Sequence, residues 1–526
     1  MATEQNVRKL SKGIQSFEEL YKNKLVYVDK TDMVWKIANG DKNNFLSRPR
    51  RFGKSLLTST LKCYFEGRED MFENLKIMEF EHEWPKRAVF QFDFSGCITR
   101  EDLEININKT LSRYESIYGR PKGKSNFNSR MFELMQKACD KTGHQVAVLV
   151  DEYDSPLQEA LNNKARMEKM AEVYRGFFPV MKTGEEYIKC LFLTGITKFT
   201  QLSLFSVLNN VTILSSNPNY ATVCGITRQE IIDNYMPELE AMGKVKGWTV
   251  EQTIEELRDM YDGYCFSNDL TKTVYNPFSL ICALSEKKLS HYWSYSGAGK
   301  MLNDILVRNL EKDKKFENII IPENKLDLSD VSLKDADLFL YQTGYLTIKG
   351  YRQGGYILGI PNNEVKAAMF NIVLPNIVHE KESDVNAAIV QMQWALEDGD
   401  VAKMMEYLKL VIAQTPYPTR KDEKLYEERF RYMVDGALRL CGCLVQPEMQ
   451  ISTGRIDIVA RFRNIVLVIE LKLDNNGGLE AAKKQIVEKN YTASFPKDKD
   501  VYAIAINCST DDKIRGIESY DITKIQ

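Results

Sequence analysis

The tripeptide Gly53-Lys54-Ser55, set between an apolar segment and a helical one, constrains this chain more than any other feature. Asn44 to Ser47, NFLS, reads as the end of a first strand, and Leu56 to Phe65, LLTSTLKCYF, reads as a helix. Ser47 to Ser55, SRPRRFGKS, is then the turn between them. A loop of this kind aims backbone N–H groups at phosphates from a helix N-terminus. Its lysine reaches the outer phosphates and its hydroxyl meets magnesium. Gly53, Lys54 and Ser55 fill the last three positions, while Arg50 and Arg51 are candidates either for phosphate contact or for pairing with acidic neighbours. The loop departs from GxxxxGK[ST] at its start, where Arg48 stands in place of the first glycine.

A second segment supplies what such a loop needs opposite it. In VAVLVDEYD, Val146 to Asp154, five apolar residues deliver Asp151 and Glu152 to the carboxyl end of a strand, beside the loop in sheets of this type. Asp151 is the candidate to hold magnesium through water, and Glu152 to polarise an attacking water. The bland alternative is a buried strand ending in a solvated acidic turn. FLTGITKF, Phe192 to Phe199, ends another strand in polar residues, making Thr194 or Thr197 a candidate sensor of the γ-phosphate and Lys198 a source of charge. Asp93 and Ser95, in FQFDFSG, sit at a further strand end. Apolar strands alternating with helical stretches imply a buried parallel sheet with helices on both faces.

At 526 residues the chain exceeds the roughly 250–300 at which single cores stop growing, so several domains are expected. The changing pattern suggests an α/β domain over residues 1–235, a helical lid or connector over 236–370, and a small α/β domain over 371–526. TPYPTRKDEK, Thr415 to Lys424, approaches the last domain's first helix. A formal net charge of −2 gives no chain-wide footprint for nucleic acid, so such contact would use a local patch. The ten cysteines are scattered, and Cys441 and Cys443 lack a second pair at zinc-site spacing. With no signal-like N-terminus and no run of roughly 18 apolar residues, the expectation is a cytoplasmic protein without a membrane segment.

A second chemical constellation lies near the C-terminus. Gly454 to Lys472, GRIDIVARFRNIVLVIELK, reads as a hairpin turning at RFRN. Strand alternation puts Glu470 and Lys472 on one face, and the hairpin can bring Asp457 to that face. Asp457 and Glu470 then suit magnesium, while Lys472 orients water or steadies charge on a phosphodiester. Glu427 or Glu428 is a candidate extra carboxylate, and Gln485 and Tyr491 are candidates to position a substrate strand. The bland reading is a solvated face, yet Glu470 and Lys472 interrupt an otherwise apolar strand, and burying them unpaired would cost several kcal/mol.

Ordered matches along nearly the whole length resemble a bacterial family that joins an AAA-ATPase-like domain to a C-terminal PD-(D/E)XK nuclease-superfamily domain. They are GIQSFEEL (Gly13 to Leu20), YVDKT (Tyr27 to Thr31), FLSRPRRFGKS (Phe45 to Ser55), DEYD (Asp151 to Asp154), FLTGITKF, LNN (Leu208 to Asn210) and YATVCGIT (Tyr220 to Thr227). They continue with MYDGY (Met260 to Tyr264), VYNPFS (Val274 to Ser279), LYQTGYLTI (Leu340 to Ile348), PNNEV (Pro361 to Val365), GRIDIV and IELKLD (Ile469 to Asp474). The resemblance implies a P-loop NTPase sheet, a helical middle region and a restriction-endonuclease-like α/β domain. In that family the arginine-rich loop is normal. The resemblance also implies ATP with Mg2+, and Mg2+ or Mn2+ at the nuclease centre. Lys54, Ser55 and Asp151 carry over as nucleotide and magnesium residues, and Asp457, Glu470 and Lys472 as the nuclease core. Gln485 and Tyr491 stand six positions apart, unlike the QxxxY of RecB-like nucleases, and Ile456 replaces the proline before the first aspartate. The implied function is an ATP-hydrolysing protein that controls a magnesium-dependent DNA nuclease on the same chain, with oligomeric state left open. The rival is a signalling or scaffold NTPase whose nuclease-like domain binds nucleic acid or protein without cleaving it.

Overall fold

The computed structural model describes residues 9–120, 126–158, 160, 163–198, 210–293, 316, 318–328, 336–377, 382–413, 423–451, 454–488, 495, 499–509, 511 and 516–526. The chain divides into two compact units, the first made of residues 1–296 and 316–361, the second of 297–315 and 362–526.

The first unit is built on five parallel strands. They are β1 (Asn43–Ser47), β2 (Val89–Asp93), β3 (Val146–Asp151), β4 (Ile188–Gly195) and β5 (Thr212–Ile213), in the order β2-β3-β4-β1-β5. Parallel neighbours need long crossovers, and helices supply them: α1 (Lys54–Phe65), α2 (Arg100–Tyr118), α3 (Phe127–Thr142) and α4 (Lys164–Phe177). With helices on both faces, a central strand meets no water on either side, which is why β3 reads as an unbroken apolar run and is buried at all six positions. Polar residues begin only where each strand leaves the sheet. The register sets Ser47 beside Gly195 and Asp93 beside Asp151, so these strand ends share one edge.

Residues 228–296 and 316–361 belong to this same unit and combine helices with short strands. Helices α5 (Arg228–Lys246), α6 (Val250–Tyr261), α7 (Pro277–Glu286) and α8 (Ala336–Thr343) alternate with two small antiparallel sheets. One joins β6 (Tyr264–Cys265) to β7 (Thr273–Val274); the other has β8 (Ile319–Pro322), β9 (Thr347–Arg352) and β10 (Gly355–Gly359) in the order β8-β10-β9.

The second unit contains α9 (Asn363–Ile377), α10 (Glu382–Glu397), α11 (Val401–Ala413), α12 (Glu423–Leu440) and α13 (Gly478–Glu488) around a mixed sheet. Its strands β11 (Leu444–Ile451), β12 (Gly454–Phe462), β13 (Ile465–Leu473), β14 (Asp500–Ser509) and β15 (Gly516–Lys524) lie in sequence order. Only β13 and β14 run parallel, with α13 as their crossover. Ile458, Ala460, Leu467, Ile469 and Leu471 pack into one core with Met392, Met404, Leu408, Val434 and Leu438 of α10, α11 and α12. Val459, Val466 and Val468 form a smaller core on the opposite face with Ile486 of α13. The β12–β13 hairpin turns on two residues, with Arg463 at φ 52°, as tight hairpins require.

A buried charge network ties α9 to α12. Asp435 receives Arg439 Nε at 2.6 Å and Lys366 Nζ at 2.7 Å, while Arg439 also donates to the Val445 carbonyl at 2.6 Å. Asp435→Ala would strip the carboxylate from the buried Arg439 and the mostly covered Lys366, and we expect it to lower the stability of this unit by about 3–5 kcal/mol in urea unfolding. A loss below 1 kcal/mol would show that the network is solvated.

Candidate functional site

Two separate centres emerge, one in each unit. In the first, the loop between β1 and α1 is held by side chains rather than left open. Arg48 is 1% exposed. Its guanidinium donates to the carbonyls of Ser47 at 2.9 Å, Ser215 at 2.8 Å and Tyr220 at 3.0 Å, and lies over the Phe266 ring at 4.2 Å. The residue that replaces the expected glycine is therefore a brace. It satisfies carbonyls of the connection after β5, and burial acts against its positive charge. Phe52 is buried against Tyr264 and Phe266, with centroids 4.7 and 5.5 Å away, and Arg51 lies over Phe278 at 4.2 Å. Arg51 has φ 70° and is exposed, as is Arg50.

Lys54 begins α1, and its ammonium donates to the carbonyls of Arg48 at 3.0 Å and Pro49 at 3.1 Å. Burial pulls its pKa below the usual lysine range, against the pull of Asp151, Asp154 and Glu152. Gly53, at φ 91°, caps the helix ahead of it. The Asp151 carboxyl is pushed up by burial and held back by the neighbouring Ser55 hydroxyl and Lys54 ammonium. The sequence-predicted hydroxyl, lysine and carboxylate thus act within one electrostatic field. Glu152 sits at φ 48°, a conformation costing a non-glycine residue about 1–3 kcal/mol, and its carboxyl is likewise pushed up by burial.

At the end of β4 the candidates separate. Thr194 is fully buried, and its hydroxyl has no hydrogen-bond partner among the described residues. Thr197 is already committed, since its hydroxyl and amide both donate to Asp154 Oδ2 at 2.6 Å. Asp154 also accepts from the Ile196 amide at 3.0 Å and from Gln158 at 2.6 Å. A Cβ on Gly195 would come within 2.3 Å of the Asp154 carboxylate, so that strand end must be glycine for the clamp to close. Lys198 is buried, and its amide donates to Gln342 of α8 at 3.1 Å. Asp93 is exposed and accepts from the Ser95 amide at 2.9 Å. Asp154, Ser215 and Gln342 were given no role by the sequence reading, although Asp154 lies inside DEYD and Gln342 inside LYQTGYLTI.

In the second unit, β12 and β13 pair antiparallel through Ile458 and Ile469, which brings Asp457 and Glu470 to adjoining positions across the two strands. Asp457 is 7% exposed, and its Oδ2 accepts the Leu471 amide at 3.0 Å. Glu470 is fully buried and accepts from Gln485 of α13 at 2.8 Å. Lys472 lies 3.7 Å from Glu427 of α12, which answers one of the candidate roles for Glu427 with an ion pair. Glu428 is half-buried on the same helix. Tyr491 and most of Thr415 to Lys424 fall outside the described residues. No group of three or more His, Cys, Asp or Glu side chains with metal-binding geometry occurs among the described residues. Two carboxylates still suit Mg2+ or Mn2+, because such ions keep waters and take the remaining oxygens from substrate phosphate.

Residues 11–205 match the family model "Predicted AAA-ATPase", and residues 421–518 match the model of the PD-(D/E)XK nuclease superfamily. The chain is also 28% identical, over 517 residues, to an uncharacterized protein in the vnfD 5′ region of Azotobacter chroococcum mcd 1. That alignment covers 96% of this chain and 97% of its relative.

If Arg48 is a brace, restoring the glycine of an ordinary phosphate loop should harm the protein. We expect Arg48→Gly to cost roughly 2–5 kcal/mol in unfolding experiments, since charge-assisted bonds contribute about 1.5–3 kcal/mol each and do not add fully, with no gain in ATP affinity. A stable variant that binds ATP more tightly would refute the brace.

Proposed function

We propose that this chain, which joins an AAA-ATPase-like domain to a PD-(D/E)XK nuclease-superfamily domain, hydrolyses ATP at the 47–55 loop and uses that cycle to control cleavage of DNA. The observation that carries this reading is the presence, on one chain, of a lysine–serine–aspartate group at a helix start and a paired-carboxylate group within a hairpin. Cytoplasmic location belongs to the same proposal; no described helix is long and apolar enough to cross a membrane.

In the first centre Lys54 exchanges the Arg48 and Pro49 carbonyls for the outer phosphate oxygens, and the amide N–H groups at the start of α1 donate to the remaining phosphate oxygens. Ser55 and Asp151 are the residues to hold magnesium, Glu152 takes the proton of the attacking water, and the orphan hydroxyl of Thr194 reads the γ-phosphate. In the second centre Asp457 and Glu470 would hold the ion, with the Leu471 amide fixing one carboxylate and Gln485 the other. A divalent ion there supplies charge neutralisation and an activated water. Lys472 steadies charge on the phosphodiester once released from Glu427.

That release is the step a non-cleaving relative would lack. The Lys472–Glu427 pair therefore favours, as a second reading, a domain that binds nucleic acid or protein without cutting.

The test is incubation of the full chain with plasmid, short duplex and single strand, in Mg2+ or Mn2+, with and without ATP. Lys54→Ala should lower ATP turnover by about 100-fold or more, in line with the loss of a pre-organised charge at a phosphoryl-transfer site. Asp457→Ala should abolish cleavage and leave ATP turnover intact. Cleavage unchanged in Asp457→Ala rejects the nuclease assignment; nucleic acid bound without product by the wild type supports the second reading. Cleavage indifferent to ATP and to Lys54→Ala rejects the coupling alone.

A further inference from the structure

Beside the Asp457–Glu470 pair stands a cation that neither the fold nor the reaction so far described has used. Arg431, on α12, is 18% exposed in its side chain and lies 3.0 Å from Glu448 Oε1 and 4.0 Å from Asp457 Oδ1. The second separation is too long for a hydrogen bond, so Asp457 is only in the field of the guanidinium. Among the described residues no further acceptor takes the other N–H groups of Arg431. A guanidinium carries five donors in a planar fork suited to phosphate, and one largely covered yet sparsely bonded is held in readiness for an anion.

Its anchor is unusual as well. Glu448 lies in β11 at φ 52°, between Pro447, which pairs with Ile458, and Met449, which pairs with Ile456. That register puts Glu448 across from Asp457. The left-handed backbone is a strained conformation for glutamate, of the sort retained where it aims a side chain. Arg455, two residues before Asp457, also meets Glu448 Oε1, at 3.4 Å. A strained, half-exposed glutamate thus gathers two arginines at the rim of a two-carboxylate centre.

We propose that Arg431 binds a non-bridging oxygen of the phosphodiester presented to Asp457 and Glu470, with Glu448 holding its guanidinium in place as a positioning residue. The inference rests on the nuclease-domain reading and deepens it by naming the group that receives the substrate. A simple salt bridge would need no arginine so close to a carboxylate reserved for a cation. A phosphate arriving between them resolves that conflict, because its negative charge is shared by the arginine on one side and the ion on the other.

The experiment is fluorescence anisotropy of the full chain with a short labelled duplex and a single strand, in EDTA and in Ca2+, over a range of salt. Arg431→Ala should weaken binding about tenfold and reduce the slope of log K against log salt by about one, as expected for one lost phosphate contact. Arg431→Lys should recover part of the affinity but little of the cleavage in Mg2+. Glu448→Gln should weaken binding less than Arg431→Ala. Arg463→Ala, at the far end of the hairpin where Arg463 pairs with Glu397 at 2.9 Å, serves as the control for general charge loss. Mn2+ affinity without nucleic acid should be unchanged or tighter in Arg431→Ala. Binding within twofold of wild type, in an Arg431→Ala protein that melts as wild type does, overturns the proposal. Should Arg431→Ala not fold, Arg431→Lys with wild-type binding and cleavage overturns it equally. A wild type that binds neither duplex nor single strand overturns the nuclease-domain reading and this inference together, whereas a wild type that cuts and an Arg431→Ala that cuts equally well overturns this inference alone.

Discussion

Holding a charge out of water is expensive, and both units are organised by where that cost is met. Each sheet interior is almost wholly apolar, so a carboxylate or cation can sit there only where a partner or a backbone donor faces it. Asp151 and Lys54 lie in one buried field at the end of β3 and the start of α1. Asp457 takes a backbone amide and Glu470 a side-chain amide. Arg48 survives with 1% exposure because three carbonyls surround its guanidinium. Asp435 and Arg439 show the same rule with no chemistry attached, since they fasten one helix to another. A buried ion is thus not by itself a sign of function. Those to which the proposed function gives a role stand at strand ends or across a hairpin.

How much of this could be read from the sequence follows from the range of the interactions. The strand–loop–helix around SRPRRFGKS, the run VAVLVD and the alternation in IVLVIELK are local patterns, and the register of β1 with β4, of β2 with β3, and of β12 with β13 sets the candidates at shared edges. Arg48 appeared only as a missing glycine, because its partners are about 170 residues downstream and are backbone carbonyls, which leave no trace in residue identity. Thr194 and Thr197 were indistinguishable until Asp154 was seen to take one of them. Arg431 and Glu448 gave no signal at all, since their meeting depends on the left-handed backbone at position 448 and on α12 crossing the sheet. The middle stretch, expected to be helical, mixes helices with short antiparallel pairs, and two-residue strands are too brief for any periodicity to show.

The two centres also differ in how they can be changed. The 47–55 loop of the first unit is gripped along its length by later residues of that unit: Arg48 by Phe266, Phe52 by Phe266 and Tyr264, and Arg51 by Phe278. Gly344, against Pro49, has no room for a Cβ, which would come within 2.6 Å of the proline. A shift of the loop on binding phosphate therefore has immediate neighbours to displace, which an open glycine-rich loop would not have. The carboxylates of the second unit are the opposite case. They sit on adjacent strands inside a five-stranded sheet, one of them tied to the backbone of the other strand, so that moving them would break the sheet itself. Control of that centre, under the function proposed, would then fall on its two neighbouring cations. Lys472, 3.7 Å from Glu427, and Arg431, 3.0 Å from Glu448, are each held by one partly exposed glutamate, and exchanging that glutamate for a phosphate requires only side-chain motion.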